Sequence, residues 1–184
     1  ARKPLVLVGG GVKWAEAAPL AVRLAEKAGL PVASTLMGLG TVPADHPLFL
    51  GMIGMHGTVA ANRAVQECDV LLALGVRFSD RVTGKREAFA TGAQIIHVDV
   101  DPAELGKNVP AHIPIVGDVG RVLEALIPLV PEGRRREWLD EVDSFRSPAG
   151  QDGVGASAVR ALARVTGDLA RRGDLILVTD VGQH

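Results

Sequence analysis

The chain has 184 residues, of which 47% are hydrophobic and 3% aromatic, so it can bury an aliphatic core for one domain and part of another. Its 20 basic and 21 acidic residues give a net charge of -1, which favours neither nucleic acid nor an anionic membrane surface as a partner. The single cysteine, Cys68, excludes an internal disulfide and a cysteine-based zinc cluster, and we expect its thiol to be packed. No apolar stretch reaches the roughly 20 residues that cross a bilayer, and we expect a cytoplasmic protein.

Short apolar runs bounded by turns predict buried strands, and segments with helical spacing of apolar residues separate them. The predicted strands are residues 5–8, 32–33, 70–74, 95–98, 113–116 and 175–178. The predicted helices are residues 14–28, 58–67 with Thr58 as N-cap, 119–130 with Asp118 as N-cap, 134–145 and 156–171. This alternation predicts an α/β fold, with a doubly wound, mainly parallel sheet of Rossmann type. Residues 147–153 have the composition of a linker, which predicts a domain boundary near Gly150.

Three consecutive glycines, residues 9–11, follow the first predicted strand, where backbone amides can contact a phosphate. The dinucleotide fingerprint requires a third Gly or Ala at the position of Trp14. The second predicted strand ends in Ser34 and Thr35 rather than in an acidic residue. An ordinary NAD site is therefore disfavoured, and a tight turn and a phosphate site remain equally open for the glycines.

Carboxylates follow two of the predicted strands. We predict a ligand contact for Asp99, because a carboxylate there can accept hydrogen bonds from ribose hydroxyls, and we predict that Asp101 caps a helix beginning at Pro102. Asp118 is open to both interpretations, ligand contact and simple N-cap. Because the carboxyl ends of parallel strands meet at one edge of a sheet, these residues together predict a ligand site at that edge.

Arg77, Asp80 and Arg81 follow the third predicted strand and precede Gly84. An arginine offers a planar fork for phosphate or carboxylate, and a nearby aspartate can hold the guanidinium in place. Surface ion pairing explains isolated residues of this kind, but three within one loop favour a site. The histidines, including His56, have no metal-site spacing, so we expect no metal ion within this chain.

The segment from residue 34 to 84 is rich in glycine and methionine, which favours a cradle for a large ligand. Residues 32–40 (VASTLMGLG), 54–58 (GMHGT) and 75–85 (GVRFSDRVTGK) resemble the central domain of the acetolactate synthase (acetohydroxyacid synthase) catalytic subunits. The resemblance continues at residues 97–102, 104–108, 117–119 and 180–184, and it leaves only residues 132–156 unmatched.

The resemblance implies a thiamine-diphosphate-dependent enzyme with three α/β domains. The full-length protein would condense two pyruvates, or pyruvate with 2-oxobutanoate, with loss of carbon dioxide in branched-chain amino-acid biosynthesis. It also implies FAD in the central domain, thiamine diphosphate and Mg²⁺ bound mostly by other domains, a homo-oligomer, and a regulatory small subunit. Residues 1–150 would be the central domain with its linker and residues 151–184 the start of the pyrophosphate-binding domain, so we expect a fragment that is inactive alone.

Carried over position by position, the resemblance also implies the site residues. FAD contacts would fall on Gly10, Thr35, Leu36, Gly54, Met55, His56, Gly75, Val76, Arg77, Phe78, Asp80, Asp99, Val100, Asp118 and Val119. Arg81 matches an arginine associated with the substrate carboxylate, and Gln183 and His184 match a pair near thiamine diphosphate. Ser79 stands where the family commonly has Asp, and no catalytic residue is expected in this chain.

Two alternatives stay open. One is another thiamine-diphosphate carboligase or decarboxylase, such as glyoxylate carboligase, whose central domain shares the fold. The other is a non-catalytic module that binds ADP or NAD and regulates a partner.

Overall fold

Six parallel strands form one sheet in the computed structural model, which describes residues 1–146, 154–176 and 178. The strands are β1 (Pro4–Val8), β2 (Val32–Ser34), β3 (Phe49–Met52), β4 (Val70–Leu74), β5 (Gln94–Asp99) and β6 (Ile113–Val116). Their order is β3-β2-β1-β4-β5-β6, and every neighbouring pair is parallel. The predicted α/β fold is confirmed, and the direction of strand order reverses between β1 and β4.

Helices cover both faces of this sheet. Within residues 1–146 they are α1 (Gly10–Trp14), α2 (Ala18–Ala28), α3 (Val59–Glu67), α4 (Asp80–Thr83), α5 (Val119–Leu126) and α6 (Arg136–Ser144). A separate helix, α7 (Val154–Arg171), belongs to the second compact unit of the chain. The predicted N-caps are confirmed, because the side chain of Thr58 accepts from the Ala61 N–H at 3.1 Å and that of Asp118 from the Arg121 N–H at 3.1 Å. None of the described helices is both long and apolar enough to cross a membrane.

Alternate residues of β1 enter two different cores. Leu5 and Leu7 pack in the core that contains the buried sides of α3 and α6, whereas Val6 and Val8 pack in the core that contains those of α2 and α5. Such a strand is apolar at every position because it is buried on both faces. Burying each of these side chains stabilises the fold by ~1.5–3 kcal/mol.

Two predicted helices are interrupted. The predicted helix 14–28 is divided, because α1 ends at Trp14 and α2 begins at Ala18, with Glu16 between them at a φ of 50°. Pro19 lies in the first turn of α2, where its missing N–H costs nothing. The predicted helix 119–130 becomes α5 followed by a 3-10 turn that contains Pro128, whose nitrogen cannot continue the α-helical ladder.

Pro102 begins a series of turns rather than the predicted helix. Gly106 lies five residues after Asp101 and has a left-handed φ of 73°, so a right-handed helix cannot continue through it. Asp101 still binds locally, since its Oδ1 accepts from the Ala103 N–H at 2.9 Å.

The edge strand β3 was missing from the sequence-based prediction. Its four residues include Gly51 at a φ of 98°, and β3 pairs with β2 across an irregular register. No alternation marks so short a strand, and its pairing with β2 is what defines it.

The chain forms two compact units, Ala1–Arg146 and Ser147–His184. The predicted boundary near Gly150, and the predicted cofactor residues Gln183 and His184, lie outside the described residues. The predicted strand 175–178 is wrong at its three described positions, where Ile176 is 87% exposed, while Leu177 lies outside the described part. The described residues of the second unit contain no other strand with which it could pair.

Candidate ligand-binding cleft

A cleft of about 870 Å³ opens at the carboxyl ends of β1, β4 and β5. This is where the strand order reverses, and open α/β sheets bind ligands in the crevice at that point. Most of the residues predicted to contact FAD line it: Gly10, Thr35, Leu36, Gly75, Val76, Arg77, Phe78, Asp99, Val100, Asp118 and Val119. Arg81 also lines the cleft. The cleft is also lined by residues to which the sequence analysis assigned no FAD contact: Gly11, Trp14, Ala15, Met37, Ser79, Val82, Asp101 and Glu104.

The three consecutive glycines have two different roles. A Cβ on Gly9 would lie 2.1 Å from the carbonyl oxygen of Gly75, and one on Gly11 would lie 2.6 Å from the Cα of Gly75. Gly9 and Gly11 therefore allow the loops after β1 and β4 to pack backbone against backbone. Gly10 lines the cleft instead, opposite Met37, whose Cβ would lie 3.2 Å from a Cβ on Gly10.

Carboxylates form one wall of the cleft. Asp99 is only 8% exposed, and its Oδ1 accepts from the Asp101 N–H at 3.0 Å. Asp118 uses its Oδ1 in the cap of α5. The second carboxylate oxygen of Asp99 and that of Asp118 have no hydrogen-bond partner among the described residues. Both oxygens can therefore accept hydrogen bonds from a ligand's hydroxyl groups.

Arginines stand on another wall. Arg77 and Arg81 both line the cleft, and no carboxylate of the described residues lies within ion-pairing distance of either guanidinium. Asp80 does not line the cleft and does not hold a guanidinium, contrary to the prediction. Its Oδ1 accepts from the Arg81 N–H at 2.9 Å, because it sits in the first turn of α4 and binds the nearest free amide.

A fully buried histidine of β5, His97, contacts the backbone of Val76, the residue before Arg77. The Nε2 of His97 lies 2.7 Å from the carbonyl oxygen of Val76, which only accepts, so Nε2 carries the proton. The ring packs edge-on against Phe78, with centroids 5.0 Å apart, and Phe78 has an unusual φ of 48°. Burial lowers the pKa of His97 and keeps it neutral. In the sequence, the only indication of this role is that His97 falls within a predicted buried strand.

Gly54, Met55 and His56, for which the resemblance implies FAD contacts, are not among the described residues that line the cleft. They lie in the loop between β3 and α3, and the Met55 N–H donates to the carbonyl oxygen of Arg81 at 3.1 Å. His56 is exposed. The loop therefore contacts the backbone of α4, and the Met55 amide has its acceptor there.

Large apolar side chains surround the mouth of the cleft. Trp14 is 84% exposed, and Leu36, Met37 and Val100 are also largely exposed. Apolar residues grouped in this way beside a concave site are typical of a surface that a ligand covers. The described residues contain no group of three His, Cys, Asp or Glu side chains arranged to hold a metal ion.

Comparisons with known proteins agree with this architecture. Residues 1–126 match the family model for the thiamine pyrophosphate enzyme, central domain. The chain is 56% identical over 143 residues to a probable acetolactate synthase large subunit of Methanocaldococcus jannaschii, covering 76% of this chain and 24% of that protein. It is 45% identical over 191 residues to acetolactate synthase 1, chloroplastic, of Zea mays, covering 100% of this chain and 30% of that protein. It is 43% identical over 187 residues to the acetolactate synthase isozyme 2 large subunit of Escherichia coli, covering 100% of this chain and 33% of that protein.

The chain thus spans about a quarter to a third of the length of these relatives. The family model, in contrast, covers more than half of the chain. The chain therefore belongs to the thiamine pyrophosphate enzyme family, and its predicted resemblance to acetolactate synthase large subunits is confirmed.

Proposed function

We propose that this chain binds FAD in the cleft, as the central domain of an acetolactate synthase large subunit. The observation that carries the proposal is the juxtaposition, at the point of strand-order reversal, of free carboxylate oxygens, unpaired guanidinium groups and exposed apolar side chains in one cleft of about 870 Å³. That volume lies within the ~300–1,000 Å³ typical of small-molecule sites.

The chemistry of the donor set fits a flavin dinucleotide. The free oxygens of Asp99 and Asp118 would accept from ribose hydroxyls, and Arg77 would bind an anionic phosphate oxygen. The exposed side chains of Trp14 and Leu36 would cover apolar ring surface. The resemblance implies no net redox change of FAD in the family's reaction, so FAD would serve to shape and complete the site.

For the whole enzyme we propose the condensation of two pyruvates, or of pyruvate with 2-oxobutanoate. The carbanion chemistry would come from thiamine diphosphate, which the resemblance assigns mostly to other domains together with Mg²⁺. Arg81 would bind the carboxylate of a 2-oxo acid with its planar fork. Gln183 and His184 would lie near thiamine diphosphate, after a domain boundary near Gly150, and the subunits would form a homo-oligomer with a regulatory small subunit.

Titration of the chain with FAD, ADP and NAD tests the cofactor. We expect saturable quenching of flavin fluorescence, with ADP as a weaker competitor and NAD weaker still. Asp99→Asn should weaken FAD binding, because an amide carries one acceptor where the carboxylate carries two. Asp140→Asn on the exposed side of α6 is the charge-matched control and should bind as the unchanged chain does. Tighter binding of NAD than of FAD would favour the regulatory module instead.

A further inference from the structure

The side chain of Asn62 makes two hydrogen bonds to the backbone of one residue outside its own helix. Its Oδ1 accepts from the Gly54 N–H at 2.9 Å, and its Nδ2 donates to the Gly54 carbonyl oxygen at 3.0 Å. Asn62 lies in the first turns of α3, whereas Gly54 lies in the preceding loop at a φ of 102°. A side-chain amide of this length offers a donor and an acceptor together, so Asn62 fixes the peptide units on both sides of the Gly54 Cα.

Gly54 is in turn packed against the backbone of Arg81. A Cβ on Gly54 would lie 2.3 Å from the Arg81 carbonyl oxygen, which leaves no room for any other residue. The neighbouring Met55 N–H donates to that same oxygen at 3.1 Å. The backbone of Gly54, which Asn62 holds by two hydrogen bonds, therefore packs directly against the backbone of Arg81.

The helix that carries Arg81 packs Val82 against the core but has few hydrogen bonds to other elements. α4 has four residues, and the N–H groups of Val82 and Thr83 both bond to the carbonyl oxygen of Ser79 within the same turn. Among the hydrogen bonds of the described residues, the one from Met55 to Arg81 is the only one that joins residues 80–83 to another element. Yet Arg81 and Val82 line the cleft, so the position of this turn decides where the guanidinium can reach.

We propose that Asn62 is a positioning residue for Arg81, acting through Gly54 and Met55 from outside the cleft. The residues 54–56 then serve the site by supporting α4. The identity of the ligand that Arg81 binds rests on the proposed function. The positioning of α4 by Asn62 does not depend on it.

Two variants of Asn62 test the coupling without ligand. Asn62→Asp is nearly isosteric and keeps the acceptor for the Gly54 N–H, but it loses the donor and sets a carboxylate oxygen against the Gly54 carbonyl. We expect the amides of Met55, Val82 and Thr83 to exchange with solvent roughly five- to tenfold faster, as the loss of one hydrogen bond implies. Asn62→Ala should accelerate them further.

The matched control is Val65→Ala, which removes buried volume from the same helix and leaves both hydrogen bonds between Asn62 and Gly54 in place. It should lower the melting temperature while leaving the exchange of these amides, relative to those of β1, unchanged. Unchanged exchange in both Asn62 variants overturns the proposal, and so does equal acceleration in Val65→Ala.

A double-mutant cycle on pyruvate binding separates positioning from general destabilisation, because the proposed function gives Arg81 the carboxylate of a 2-oxo acid. We expect Asn62→Asp to weaken pyruvate binding roughly five- to tenfold in the otherwise unchanged chain and to have no further effect once Arg81→Ala is present. An equal loss in both backgrounds overturns the role through Arg81. If the unchanged chain binds no pyruvate, the substrate role proposed for Arg81 fails, and the exchange experiment alone decides the coupling.

Discussion

The Nε2 of His97 donates to the carbonyl oxygen of Val76 at 2.7 Å, and this bond joins the interior of β5 to the wall of the cleft. His97 is fully buried, so the bond has no competition from water. His97→Phe keeps an aromatic ring against Phe78 but leaves the Val76 carbonyl without its partner. We expect a loss of ~1–3 kcal/mol in the free energy of unfolding, measured by chemical denaturation. His56→Gln, at an exposed histidine, is the control and should change stability little.

The same histidine should make stability depend on pH. Burial lowers the pKa of His97 in the folded chain below the ordinary value of 6.5, so near that pH the unfolded chain binds a proton that the folded chain does not. The contribution of neutral His97 is fully present above pH 6.5 and is lost as the pH falls below it. The stability difference between the unchanged chain and His97→Phe should therefore shrink on acidification. A difference that stays constant or grows contradicts this expectation.

Cys68 should be inert in the folded chain. Burial raises the pKa of its thiol to about 12, and the Sγ donates to the Val65 carbonyl oxygen at 3.2 Å. Since the thiolate is the reactive form, we expect no labelling by a disulfide reagent at pH 8 until the chain is unfolded by denaturant. Rapid labelling of the folded chain would show that α3 opens locally or that the thiol is not packed.

Gly75 should tolerate no side chain. Its φ is 59°, and a Cβ there would lie 2.5 Å from the Cα of Gly11, which is backbone and cannot move aside. Gly75→Ala therefore combines a strained conformation with overpacking, each costing ~1–3 kcal/mol, and should lower the melting temperature strongly. Gly40→Ala is the matched control, because Gly40 also has a positive φ of 88° but open space around its Cβ position. Equal losses in both variants would mean that conformation alone, and not the contact with Gly11, matters.

This chain alone should not make acetolactate. It corresponds to about a quarter to a third of the length of its relatives, and the resemblance assigns the reacting groups to other domains. With pyruvate, thiamine diphosphate, Mg²⁺ and FAD present, we expect no colorimetric signal for acetolactate above that of a reaction without protein. Turnover by the 184-residue chain would contradict the assignment of the reacting groups to other domains.

Central strands were predictable from local composition, and edge structure was not. β1 and β4 are apolar along their length because both faces are buried, so they stand out in the sequence. β3 lies at the edge and contains Gly51, and its existence depends on pairing with β2. The division between α1 and α2, where Glu16 has a φ of 50°, is likewise not marked by hydrophobic periodicity.

The candidate site divides in the same way. Asp99, Asp118 and Arg77 could be predicted to lie together because each stands at the carboxyl end of a strand or within three residues of it, and parallel strands bring their carboxyl ends to one edge. Residue chemistry and strand order were sufficient for that step. Which residues share a wall was decided by the packing of loops that are distant in sequence: Gly11 against Gly75, and Asn62 through Gly54 against Arg81. Each of these contacts involves backbone groups, and backbone carries no sequence signal apart from the glycines that permit the close approach.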